Sequence, residues 1–223
     1  MTQIPRDTLT KLFSATRLSG YTDAYEHEAN LALIGRISHK VGILEIILRN
    51  RIDTLMTSAQ SQEQDKDKAQ DWLECLPSEI ETKGELHTQK REKFISTQSL
   101  GFWVRLVECY KIHNKIFDKN FLENLDFKKY YFKNKNRFNR GMYFRDYHKV
   151  SAILQLFRLI RNRAFHFENL YKMNEKGPRL SVKIYNQYGE FAIFSVRPSK
   201  IIDFLNDLIA SFDTRLITYG ENI

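Results

Sequence analysis

Apolar residues recur at Leu31, Ile34, Val41, Leu44, Leu48, Ile52 and Leu55. Steps of three, four and seven line them along one side of an α-helix, and a strand with its period of two cannot gather them. A helix of roughly seven turns with one apolar stripe must be covered by other elements, so a helical bundle is expected. Thr22 or Asp23 is placed to open this helix, and Thr8 to cap a shorter one that ends near Gly20. Gly35 and Gly42 weaken the long helix and are read as points of close approach by a neighbour.

The stretch SAQSQEQDKDKAQ has no apolar period, and residues 59–70 read as a mobile polar loop or helix end. Trp72, Leu73 and Leu76 make one amphipathic turn before Pro77, and Ser78 to Lys93 is too charged to bury more than an edge. Ser99 then caps a helix whose Phe102, Trp103, Leu106, Val107 and Tyr110 are spaced as core residues. A second strongly periodic helix starts at Tyr147 or His148, presents Val150, Ile153, Leu154, Phe157 and Ile160, and runs into RNRAFHFENL. Pro178 closes the helical region, residues 178–197 alternate as a β-hairpin appendage, and Ser199 caps a last helix carrying Ile202, Leu205, Leu208, Ile209 and Phe212. The expectation is a mainly α fold, a single domain over 1–223 with a small hairpin near its C-terminal end.

Several chemistries lack their residues. There is no GxxxxGK[ST] loop, GxGxxG turn, HExxH helix, paired CxxC or GxSxG elbow, and the six histidines show no ligand spacing on one helix face. No metal site and no cofactor are expected. The most apolar run, Val41 to Leu48, falls well short of the roughly 20 residues of a membrane span. The opening MTQIPRDTLTKLF does not resemble a signal peptide, so Cys75 and Cys109 are read as buried thiols in a reducing cytoplasm. A net charge of +8 favours a polyanionic partner. Much of it lies in one stretch free of acidic residues, with Lys128, Lys129, Lys133, Lys135, Arg137, Arg140 and Arg145. They alternate with Tyr130, Tyr131, Phe132, Phe138, Tyr143 and Phe144, a mixture that can hold phosphates and stack on unpaired bases, or else a loop anchored to the core by its rings.

The remaining constellation is Arg161, Asn162, Arg163 and His166 at the end of an apolar helix. Arginine offers a planar cationic fork for phosphate, and histidine moves a proton near neutral pH. Arg161 and His166 are separated by about 140° around a straight helix, so they converge only by distortion, by a bent arginine or through a second chain. The same residues also fit a helix C-terminus whose cations complement the dipole. Glu45 interrupts a largely apolar face and needs a partner, for which Arg161 is suited, in a supporting site or an ordinary ion pair.

RNRAFHFEN resembles the R-N-R-x-x-H signature of the Abi-like (abortive infection) family of the HEPN superfamily. YEHEANLALIGRISHKVGILEIILRNRI, with Glu45, Leu48, Arg49 and Asn50, is similar to that family's first long helix, and LGFWVRL to its Gly-aromatic-Trp segment. The three similarities, in order, span roughly residues 21 to 170. The resemblance implies a HEPN helical bundle, often a homodimer, with Arg161 and His166 catalytic and Asn162 assisting in a metal-independent endoribonuclease. Glu45, Asn50 and Arg163 would support the site. Phe167 departs from the pattern, standing where many relatives carry a second histidine. The setting implied is phage defence or a toxin–antitoxin pair, with RNA as substrate and room for a regulatory RNA or an antitoxin. A non-catalytic RNA-binding module and a protein-interaction scaffold are the competing readings.

Overall fold

Two short helices, α1 (Arg6–Phe13) and α2 (Ala15–Leu18), precede the 40-residue α3 (Ala24–Glu63) in the computed structural model, which describes residues 4–63 and 71–220. Thr8 caps nothing: it lies inside α1, which starts after Pro5, and the chain breaks at Ser14, where φ is 69°, well before Gly20. Asp23 opens α3 by accepting from the Glu26 N–H at 2.8 Å, while the Glu26 carboxylate accepts from the Thr22 N–H at 3.3 Å. Ile34, Ile37, Val41, Leu44, Leu48, Ile52 and Met56 form the buried stripe. Gly35 and Gly42 stand one position off that stripe, and a Cβ at either would meet no atom within 4 Å, so neither marks a close approach. α3 runs through Glu63 into the stretch expected as a polar loop; residues 64–70 of that stretch lie outside the described residues.

A short turn over Trp72–Cys75 buries Trp72 and Leu73. Arg91, at the start of α4 (Arg91–Thr97), ties this turn to α3 through Asp71 and Asp53, and the Trp72 indole donates to Asp53 at 2.9 Å. The Ser99 hydroxyl accepts from the Phe102 N–H at 3.2 Å and opens α5 (Leu100–Tyr110), which buries Phe102, Trp103, Leu106 and Val107. Cys75 is exposed and Cys109 half-buried, so the thiols are not the buried pair expected.

After α6 (Lys119–Asn124), α7 (Asp146–Phe165) forms the centre of the core, touched by α3, α5, α6 and the hairpin. Its Val150, Ile153, Leu154, Leu156, Phe157 and Ile160 are 0–1% exposed. Each such side chain contributes roughly 1.5–3 kcal/mol, so α7 shares with α3 a large part of the packing energy.

Beyond α7 come a two-residue pair, β1 (Met173–Asn174) with β2 (Gly177–Pro178), and the antiparallel hairpin β3 (Ser181–Tyr185) with β4 (Phe191–Ser195). The first pair has no sequence signal. Ile184 and Phe194 turn one hairpin face into the core against α7. Ser199 does not cap α8 (Ile201–Ala210), because it sits inside a 3₁₀ turn over Pro198–Lys200 that runs straight into the helix. The chain is mainly helical with two small antiparallel sheets near its C-terminal end. Among the described residues no helix is long and apolar enough to cross a membrane.

Candidate functional site

The C-terminus of α7 is closed by its backbone. The Phe167 N–H donates to Ala164 O (2.9 Å) and the Glu168 N–H to Arg163 O (2.9 Å), with Phe167 at φ 53°. This is the Schellman arrangement, with a phenylalanine at the left-handed position usually held by glycine. His166 is the last residue before the reversal; its N–H donates to Asn162 O at 3.0 Å. Its side chain is exposed and makes no hydrogen bond among the described residues.

The segment after the reversal is clamped to α2 and α3. Buried Asn30 donates from Nδ2 to Glu168 O and to the Tyr21 hydroxyl, both at 3.1 Å, and accepts the Leu170 N–H at 2.8 Å. Asn169 donates to Gly20 O at 2.8 Å and to the Glu26 carboxylate, and accepts the Tyr171 N–H. Arg17 donates from Nη1 to Phe167 O at 3.0 Å. Two nearly fully buried asparagines thus satisfy backbone groups that a loop this deep would otherwise leave unpaired.

The result is an open groove of about 480 Å³ whose lining includes His166, Arg17, Tyr21, Lys172 and Arg179. Burial holds the Tyr21 phenol above its ordinary pKa. Arg179 and Arg163 share the one Glu168 carboxylate, so that cluster keeps a net positive charge and adds to those of Lys172 and Arg17. A histidine among cations suits a phosphodiester. One imidazole and one lining carboxylate, the latter already held by two arginines, do not make a divalent-cation cage.

Arg161 does not line this groove. It points to α3, where its Nε donates to Glu45 at 3.0 Å, with both side chains about a third exposed. Glu45 thereby has the partner its sequence position demanded. The guanidinium also donates from Nη1 to Asn162 Oδ1 at 3.3 Å and lies 5.4 Å from the Phe165 ring centre. No hydrogen bond joins Arg161 to His166. Asn50 is exposed and its side chain makes no hydrogen bond among the described residues. Arg163 supports the reversal through Glu168, with its Nε buried and unpaired. Sequence reasoning missed Arg17, Tyr21, Asn30, Lys172 and Arg179; only Asn30, a polar residue amid the apolar helix pattern, carried any signal.

The basic segment divides differently from its sequence reading. Tyr130, Tyr131, Phe138 and Phe144 are core residues, 1–8% exposed, and cannot stack on bases; only Phe132 and Tyr143 stand out. The alternation of cation and ring is therefore largely that of an anchored loop. Lys129 pairs with Asp207 and Arg140 with Glu190. Lys128, Lys133, Lys135, Arg137 and Arg145 are exposed without an acidic partner among the described residues. Comparisons with protein-family models, with curated proteins and with solved structures found no match to this chain.

Proposed function

We propose that this chain is a metal-independent endoribonuclease of the HEPN type, Abi-like in its sequence signature and acting in the cytoplasm in defence against phage or as a toxin. The observation that supports this best is His166, exposed at the closed end of α7 with Arg17, Lys172 and Arg179 around one groove. In this reading the imidazole takes the proton of a ribose 2′-OH or returns one to the leaving 5′-oxygen. The groove cations hold the phosphate, and Arg161 offsets the charge that develops on it. Arg161 and His166 face different surroundings within one chain. The proposed enzyme is therefore a homodimer in which the two RNRAFH segments meet, with Asn162 assisting, and RNA is the substrate.

The test is the cleavage rate of a labelled RNA by purified variants of unchanged helix content. His166→Ala should lower the rate by about 10²–10⁴-fold, the usual contribution of a positioned proton carrier. Arg161→Lys should also be poor, because an ammonium does not reproduce the guanidinium fork. Wild-type rates in His166→Ala, or full activity from a 26.5 kDa monomer in light scattering, contradict the proposal.

A further inference from the structure

Hairpin residues Lys183, Tyr185, Phe191 and Ile193 form a face that no element among the described residues covers. The register pairs Lys183 with Ile193 and Tyr185 with Phe191, which puts all four on the side opposite buried Ile184, Ala192 and Phe194. Tyr185, Phe191 and Ile193 are 57%, 42% and 44% exposed. The two rings lie 5.8 Å apart and the Lys183 ammonium 4.9 Å from the Phe191 ring centre. Rings left in water on a strand pair add little to stability, and a contiguous patch of them marks a contact surface.

Beside this face runs a groove of about 280 Å³, lined by Phe191 and Ile193 on one side and by Lys133, Lys135, Arg137 and Lys176 around it, with no carboxylate. The cations are held in place by buried parts. Asn134, between the two lysines, is 2% exposed; it donates to Phe127 O (2.7 Å) and Ser195 O (2.9 Å) and accepts the Ser195 N–H (2.9 Å). That bolts the loop to β4 and leaves Lys133 and Lys135 outward. Gly177, at φ 135°, packs so closely that a Cβ would sit 3.0 Å from the Tyr131 hydroxyl, which brings neighbouring Lys176 to the same groove.

We infer that the hairpin face and this groove together hold single-stranded nucleic acid, with bases on Tyr185 and Phe191 and phosphates along Lys133, Lys135, Arg137 and Lys176. A cationic groove with no acid asks for a polyanion, and exposed rings beside it ask for one with free planar faces. A duplex, whose bases are stacked on each other, lacks the second property. The inference rests on the ribonuclease reading and deepens it by naming where the strand is held, on residues that do not line the His166 groove.

Fluorescence anisotropy on the full chain tests it. The probes are a labelled 2′-O-methyl oligouridine, which the proposed chemistry cannot cut, a labelled oligothymidine and a blunt duplex. Single strands should bind more tightly than the duplex; binding of both kinds supports the shared chemistry, and binding of oligouridine alone also supports it and assigns the strand to RNA. Phe191→Ala should raise Kd about tenfold, within the range of one base stack, without changing the salt dependence, and Phe191→Trp should restore binding. Joint Lys135→Ala and Arg137→Ala should weaken binding and reduce the slope of log K against log salt by about 1.4. A wild-type chain that binds these probes but leaves an all-ribose strand uncut counts against the nuclease and not against the platform. Equal affinity of duplex and strand, an unchanged Kd in Phe191→Ala, or equal competition by polyglutamate would overturn the inference.

Discussion

Phe167 shows how much one residue costs and what it positions. A side chain in the left-handed region carries a penalty of about 1–2 kcal/mol, and this ring is half exposed and recovers little of it by packing. Phe167→Gly should therefore stabilise the fold by about 0.5–1 kcal/mol and raise the midpoint of thermal unfolding by roughly 2 °C, while Phe167→Ala should not. A lower midpoint in the glycine variant would mean that the ring contributes packing not visible in its exposure. The residue scale is also where sequence reading was most uneven. Glu45 was readable as a carboxylate in need of Arg161, since a charge on an apolar stripe has few solutions. For the rings of the basic segment the sequence leaves open whether they stack on bases or anchor the loop, because composition does not say which side of an irregular loop faces the core. Arg17, Lys172 and Arg179 share a groove with His166 because the chain reverses after Phe167, and no local pattern encodes that reversal.

At the scale of elements, the long periodic helices, the Ser99 cap and the hairpin were legible because each rests on a local rule. The misses arose where tertiary packing replaced one: the 3₁₀ turn at Pro198 in place of a Ser199 cap, and the β1–β2 pair. The start of α7 carries its own prediction. His148 is 1% exposed, accepts the Arg145 N–H on Nδ1 at 3.0 Å and has no partner on Nε2. Burial, then Arg145 and His113, push its pKa down to about 4. The folded state thus holds the ring neutral while the unfolded chain takes up a proton near pH 6.5, so the stabilisation is present above about 6.5 and is lost as pH falls toward 4. Thermal unfolding midpoints should fall across that window. The fall should be smaller in His148→Phe but not absent, because His113 and His27 are shifted in the same direction by burial. Equal slopes in wild type and variant would rule out His148 as a source of the pH dependence.

For the whole molecule, the proposed function separates two tasks. The net charge of +8 is concentrated in effect by pairing: Asp207 and Glu190 neutralise Lys129 and Arg140, and of the cations left over Lys133, Lys135 and Arg137 flank the hairpin. In the proposed reading proton transfer falls to His166, at the closed terminus of α7, in a groove that shares no lining residue with the one beside the hairpin. If His166 acts on the RNA's own 2′-OH, the chemistry of the cut ends must show it. A labelled RNA with a single 2′-deoxy nucleotide at the mapped cleavage position is incubated beside its all-ribose counterpart, both in EDTA, and the ends are identified by mass. The all-ribose strand should be cut to a 2′,3′-cyclic phosphate and a 5′-hydroxyl, and the deoxy position should be left intact. Cleavage abolished by EDTA, a 5′-phosphate product, or cutting at the deoxy nucleotide would show that His166 does not act in this way.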